Sequence, residues 1–225
     1  MYFLDKVHEN SKNKRVKMNI KPYNTLAISK QPIQYLTETQ LNKLVYTFQL
    51  WYDNTPSFNK RRIRGRYWLT FLVLRFTGAR IGEVLRLNDK IDIDFRNAEI
   101  RLITLKRHNP NKKGQFRFVP VPQSVTSEIA TYLAEYPEQR GKTFHLDQGN
   151  FRKVFYKICD QAEIPKELAH PHILRHSRAI EMLRCGVPVT IVQDLLGHSS
   201  LVTTAIYLRI SGQEVKTILK DKGLI

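Results

Sequence analysis

The residues best equipped for chemistry lie in the C-terminal half of the chain. His170-Pro171-His172-Ile173-Leu174-Arg175-His176 is followed by Leu196-Gly197-His198-Ser199-Ser200 and then by Thr203-Thr204-Ala205-Ile206-Tyr207. On a helix, His172 and Arg175 stand at i and i+3, so an imidazole and a guanidinium project from one face and can share a ligand. Gly197 can end one helix and leave His198 on the turn after it, while Tyr207, nine residues on, can point back toward it. Upstream, Thr77-Gly78-Ala79-Arg80-Ile81-Gly82-Glu83 offers a second guanidinium at a helix start, and Lys106 offers an ammonium at a strand end. The His170, His172 and His176 cluster has neither Cys nor a carboxylate pair beside it, which favours contact with phosphate over a metal site.

Periodicity gives the elements that must gather these groups. Thr37-Glu38-Thr39-Gln40 offers an N-cap, and Leu41, Leu44, Val45 and Phe48 follow at helical spacing. Residues 64–76 are apolar almost all round, as a central core helix should be, and Thr77-Gly78 breaks them. Arg80 opens a short helix with Ile81, Val84 and Leu85 on one face. Ile91, Ile93 and Phe95 alternate with Asp92 and Asp94, which predicts a strand. After a turn at Arg96-Asn97, residues 100–105 and 116–121 predict two more. The connection at 106–115 holds Pro110, Gly114 and four basic residues, the mark of a solvent-facing hairpin. Helices are then predicted over 124–135, 148–162, 173–185, 188–196, 200–209 and 212–222, with Gly186-Val187-Pro188 as a stop and start. The expected class is α+β, mainly α-helical with a small three-stranded antiparallel sheet.

At 225 residues and 26.4 kDa the chain has room for one domain and a small appendage, which excludes a large multidomain enzyme. Hydrophobic residues make up 42%, enough to bury a core. Lys plus Arg number 37 against 20 Asp plus Glu, a net charge of +17 that points to a polyanionic partner, nucleic acid first. No apolar stretch approaches a membrane span, and the N-terminus lacks a secretory signal, so an intracellular protein is expected. Two cysteines, Cys159 and Cys185, support neither a disulfide framework nor a thiolate metal site. Residues 1–36 read as a basic arm, and a globular unit begins near Thr37.

Together these motifs resemble the tyrosine recombinase, or phage integrase, family. An Arg in T-G-x-R-x-x-E, a Lys in a β-hairpin, H-x-x-R, a His within L-G-H-S and a Tyr about nine residues on all occur, in order, across residues 37–215 or so. One such motif is weak; five in register are a strong signal. The resemblance implies the family's catalytic fold and site-specific recombination or integration. DNA strands would be cut and rejoined through a 3′-phosphotyrosyl intermediate and a free 5′-hydroxyl, with no metal, ATP or other cofactor. It implies a catalytic set of Arg80, Lys106, His172, Arg175, His198 and Tyr207.

The physics agrees. Phosphodiester cleavage by a hydroxyl passes through a pentacoordinate species whose added charge must meet positioned donors. Arg80 and Arg175 can each present paired N–H groups to the non-bridging oxygens, a geometry Lys cannot copy. Tyr207 attacks, and its phenol, with an ordinary pKa of about 10, needs a proton acceptor, for which His172 is the candidate. Lys106 protonates the departing 5′-oxygen, and His198 hydrogen-bonds the phosphate. Glu83 orients Arg80, and His176 supports the site beside Arg175.

Basic residues outside this set predict DNA contact. Lys60, Arg61, Arg62, Arg64 and Arg66 precede the core helix, and between Ile100 and Ser127 no acid occurs while Arg101, Lys106, Arg107, Lys112, Lys113 and Arg117 do. Both segments are expected to face phosphates of double-stranded DNA. Family members carry a separate core-binding domain first. Here about 36 residues precede the motifs, which predicts a compact catalytic domain at 37–225 behind the arm at 1–36. The tail at 212–225 has Val215, Ile218 and Leu219 at helical spacing, and since such a tail docks on a neighbouring protomer in this family, the resemblance implies a dimer or tetramer on DNA. Accessory DNA-bending proteins and a cytoplasmic, nucleoid-associated location complete the expectation. The alternatives are a DNA-binding transcriptional regulator on the same fold and a type IB topoisomerase-like activity.

Overall fold

A computed structural model describes residues 33–104 and 115–198, with Thr204, Tyr207, Lys220 and Gly223 beyond them. Contacts divide the chain into units 1–32 and 33–225, and the described residues all belong to the second.

Helix α1 (Glu38–Asp53) starts where Thr37 caps it: the Thr37 hydroxyl accepts from the Gln40 N–H at 3.3 Å, and the Gln40 carboxamide accepts from the Thr37 N–H at 2.9 Å. It buries Leu41, Leu44, Phe48 and Tyr52. Helix α2 (Phe58–Thr77) is the central element, buried at every position from Trp68 to Arg75. It begins six residues ahead of the expected start, because Lys and Arg are good helix formers and nothing between Phe58 and Arg64 breaks the backbone. Phe48 stacks on Phe71 at 4.5 Å, and Phe71 meets Phe155 of α6 (Gln148–Gln161) at 6.4 Å, so an aromatic column ties α1, α2 and α6 together. Helix α5 (Gln123–Glu135) packs along α2, as does α7 (His172–Arg184), which the Arg75–Glu181 pair fastens with two hydrogen bonds of 2.8 and 2.9 Å.

Two short helices, α3 (Ile81–Val84) and α4 (Asp89–Asp92), lead into an antiparallel sheet of β1 (Ile93–Asp94), β2 (Glu99–Thr104) and β3 (Gln115–Pro120), in that order. The first strand is shorter than its alternation predicts. Asn88 accepts from the Lys90 N–H at 3.1 Å and Asp92 accepts from the Asn88 N–H at 2.9 Å, so local side-chain bonds coil residues 89–92 and leave Ile91 exposed. In β2 and β3, Ile100 lies opposite Val119 and Leu102 opposite Arg117, and these four share the inner face. Phe116 and Phe118 stand on the outer face, exposed, with the Arg101 guanidinium 4.7 Å from the Phe116 ring centre.

A second, smaller core joins Ala179, Ile180 and Leu183 of α7, Val192 and Leu196 of α8 (Val189–Leu196), and Tyr207. Ile33 and Tyr35 pack against it, and the Leu36 N–H donates to the Ser177 hydroxyl at 2.8 Å. Residues 33–36, which the sequence reading assigns to the arm, are thus fixed to the body. The expected arm over 1–32, the hairpin at 106–114 and the tail at 212–225, apart from Lys220 and Gly223, lie outside the described residues, as does the predicted helix at 200–209 except for Thr204 and Tyr207.

Candidate active site

The end of α2 builds one wall. Gly78 adopts φ +63°, and the Thr77 hydroxyl accepts from the Ala79 N–H at 3.1 Å, which turns the chain sharply and delivers Arg80 in extended conformation at the head of α3. A side chain at Gly78 would also strike the Leu196 methyl, 2.7 Å away. Glu83, fully buried, accepts from the Arg80 N–H at 3.0 Å and from Arg80 Nη1 at 3.3 Å. The Gly78 carbonyl accepts from Arg175 Nη1 at 2.8 Å, so one turn places both arginines.

Arg175 is 2% exposed, yet its Nη2 has no hydrogen-bond partner among the described residues. Burial, reinforced by the charge of Arg80, lowers its pKa to about 10, so it stays a cation at neutral pH. A desolvated guanidinium with donors unspent, beside a second and more exposed one, is a receptor for a planar or tetrahedral oxyanion.

The second wall comes from α8 and beyond. Gly197, at φ +69°, ends the helix and aims its carbonyl at Arg80 Nη1 over a long 3.4 Å. The ring of His198 is held by a 2.8 Å hydrogen bond between Nδ1 and the Thr204 hydroxyl, and lies nearly parallel to the Tyr207 ring with centroids 6.2 Å apart. Tyr207 is only 3% exposed, and its hydroxyl lies 2.6 Å from His176 Nδ1. His172 packs edge-on against His176 at 4.6 Å.

Electrostatics set the protonation states. Burial pulls His176 down to about 4, with His172 and His170 adding to the effect. Burial pulls His198 to about 3, helped by Arg175 and Arg80. His172 reaches solvent on one side, yet desolvation on the other and the nearby Arg175 take it to about 4. All three imidazoles are neutral at pH 7. Burial raises the Tyr207 pKa while the charge of Arg175 opposes it, so the phenol holds its proton in the absence of an anion. A neutral His176 with its proton on Nε2 can accept that of Tyr207.

Folding therefore brings together Arg80, Glu83, His172, Arg175, His176, His198 and Tyr207 from four stretches of chain. Lys106, Arg107, Lys112 and Lys113 lie outside the described residues. The imidazole touching the phenol is His176, not the expected His172.

The basic run at the start of α2 also departs from expectation. Lys60 is exposed, Arg61 lies 3.9 Å from Asp53 and Arg62 3.2 Å from Glu138. Arg64 and Arg66 turn inward. Arg64 donates to the Trp51 carbonyl at 2.6 Å, and Arg66 to the carbonyls of Thr143, Lys142 and His145 at 3.0, 2.9 and 2.6 Å. The Arg64 guanidinium binds a carbonyl in the last turn of α1 and that of Arg66 binds loop carbonyls, backbone acceptors that need donors, and so neither is free as the charge run suggests. Arg101 pairs with Asp92 at 2.8 Å. Arg117 is buried against Glu83, a placement sequence reasoning missed although alternation puts it on the same face as Val119.

The sequence pattern of the Phage integrase family matches residues 34–214. The chain belongs to the phage integrase family. It is 32% identical over 199 residues to tyrosine recombinase XerA of Pyrococcus furiosus, covering 84% of this chain and 62% of that protein. It is 30% identical over 185 residues to a tyrosine recombinase of Thermosipho africanus, covering 80% and 58%. The chain thus spans about three fifths of the length of these relatives. Among solved structures it superposes on XerA recombinase with a TM-score of 0.64 at 22% identity, over 86% of this chain and 65% of that one. The catalytic domain of bacteriophage HP1 integrase gives 0.57 at 21%, over 84% and 94%. At these identities the likeness shows a shared fold, the mainly helical α+β fold with a three-stranded antiparallel sheet that the sequence predicts. Among the described residues no group of three or more His, Cys, Asp or Glu could hold a metal ion, and no helix is long and apolar enough to cross a membrane.

Proposed function

We propose that this chain is a site-specific DNA recombinase or integrase that cuts and rejoins strands through a 3′-phosphotyrosyl intermediate. The observation that carries this reading is Arg175, buried, cationic and with Nη2 unpartnered among the described residues, its charge acting to lower the pKa of the Tyr207 phenol. Non-bridging phosphate oxygens take the open donors of Arg175 and Arg80, with His198 beside them. An added negative charge there favours the pentacoordinate species over the diester. The enclosed phenol must be uncovered for a phosphodiester to meet it. Tyr207 Oη then forms a bond to phosphorus as the bond from phosphorus to O5′ breaks. The phenolic proton passes to His176, the imidazole it already touches, and Lys106 is kept as the donor to O5′ on its place in the sequence. The phosphotyrosine conserves the diester's bond energy, so attack by a second 5′-hydroxyl reverses each transfer and restores a diester.

The partner is double-stranded DNA, on which copies of this chain assemble as a dimer or tetramer, with accessory DNA-bending proteins, in the nucleoid. The names of the related recombinases support the DNA partner. A pool of duplexes with randomised centres, nicked so that the 5′ fragment diffuses away after cleavage, tests the reading. The native chain should be captured as a covalent protein–DNA adduct that survives denaturing electrophoresis, and Tyr207→Phe should give none. Binding without adduct across the pool would leave a DNA-binding protein only.

A further inference from the structure

Arg117 is a cation on the buried face of a sheet, opposite Leu102 and two residues before Val119. Its side chain is 9% exposed, and each of its three nitrogens has a partner. Nη2 and Nη1 reach the two oxygens of Glu83 at 2.6 and 3.3 Å, Nη1 also reaches the Thr104 hydroxyl at 2.9 Å, and Nε reaches the Leu195 carbonyl at 2.8 Å. One guanidinium thus grips α3, the end of β2 and the last turn of α8. The glycine after that turn is shaped around it: a Cβ on Gly197 would lie 2.9 Å from Arg117 Nη1 and 3.0 Å from Cζ.

Glu83 is shared between two arginines of unequal freedom. Arg80 holds it through its backbone N–H and a long 3.3 Å side-chain contact and stays 41% exposed, whereas Arg117 holds it at 2.6 Å and is enclosed. A fully buried carboxylate needs a partner. Were Arg117 absent, the one remaining cation in contact with Glu83 among the described residues would be Arg80, drawn inward and away from a ligand.

We propose that Arg117 is a positioning residue for the cleavage reaction: it neutralises Glu83 so that the Arg80 guanidinium stays free for phosphate, and it anchors the turn that presents His198. This rests on the reading of the site as a DNA-cleaving one.

The test uses duplexes captured by the native chain from the randomised, nicked pool, with single-turnover adduct formation followed at saturating DNA. Arg117→Met should slow adduct formation by about 100-fold, the scale of losing one oxyanion donor, while affinity for the same duplex is retained. Adding Glu83→Gln removes the carboxylate that captures Arg80, so the Arg117→Met/Glu83→Gln variant should recover at least about tenfold of that loss. A role confined to folding would not produce recovery on deleting a second partner. If Arg117→Met does not fold, Arg117→Gln with and without Glu83→Gln decides by the same sign of change, since glutamine also leaves Glu83 without a neutralising charge. A native rate in the Arg117 variant, a loss of DNA affinity in step with the rate, or a double variant no faster than the single one overturns the inference. Absence of adduct with the native chain would instead overturn the function itself.

Discussion

At the scale of single residues, the site works by withholding water from charges that have no full complement of partners. Arg175 is the extreme case, held by the Gly78 carbonyl through Nη1 and left with Nη2 unpartnered among the described residues. Lysine in its place would keep a positive charge but present it as a point, without the planar pair of donors that matches two oxyanion oxygens. Arg175→Lys should therefore lower single-turnover adduct formation by about 100-fold or more, with much less change in DNA affinity, as measured on captured duplexes. Equal losses of rate and affinity would show that Arg175 only binds. The two histidines of α7 carry a lesson at the same scale. His172 and His176 stand at i and i+4, so a helical wheel puts both on one face and cannot choose between them. The choice of His176 as the partner of the phenol comes from where Tyr207 lands.

At the scale of elements, α2 links two jobs. Its C-terminal end turns at Gly78 into the arginine cluster, and its first turns carry the basic run, about 25 Å away at the helical rise. The run divides by side-chain direction. Arg66 supplies donors to three loop carbonyls, and Lys60 has an exposed side chain. Arg66→Met should thus cost about 1.5–3 kcal/mol and lower the thermal midpoint by several degrees, leaving the salt dependence of DNA binding unchanged. Lys60→Gln should do the reverse, flattening the slope of log affinity against log salt by about one with no shift in midpoint. Calorimetry and salt titrations on the two variants separate these outcomes. The sheet shows how alternation misleads when polarity is inverted: Phe116 and Phe118 point outward while Arg117 joins Val119 inside. A reading by hydropathy places the phenylalanines in the core, yet the buried carboxylate of Glu83 makes the inner position one that only a cation can fill.

At the scale of the whole molecule, the buried imidazoles couple stability to pH. His176 and His198 are held near 4 and 3 in the folded chain, against about 6.5 when unfolded. Between those values the unfolded chain binds more protons than the native one, so stability is complete above about pH 6.5 and is lost as pH falls toward 4 and below. Glu181 adds a later step. Burial opposes its ionisation, but hydrogen bonds from Arg75 and Arg178 hold it at about 2, so its contribution is present above its ordinary value and lost only below it. The thermal midpoint should fall steadily from pH 7 to pH 4.5, and a midpoint that is flat over that range would show the imidazoles to be solvated.

The sequence by itself determined most of the elements and which residues were candidates for the site. Caps, breaks and apolar periods act within a turn or two of chain, so the start of α1 and both ends of α5, α6, α7, α8, β2 and β3 fall within about two residues of their predicted bounds, and the motifs name, Lys106 aside, residues that the described fold clusters. Where local rules compete, as in the Asn88 and Asp92 side-chain bonds that replace most of the first strand, pattern alone misjudges the outcome. Tertiary structure alone decided which cations face inward, which imidazole meets the phenol, and that Arg117 reaches across 34 residues of chain to a Glu83 carboxylate it shares with Arg80. Those outcomes depend on which buried polar groups folding leaves in need of a partner, and that is fixed only when distant segments have packed.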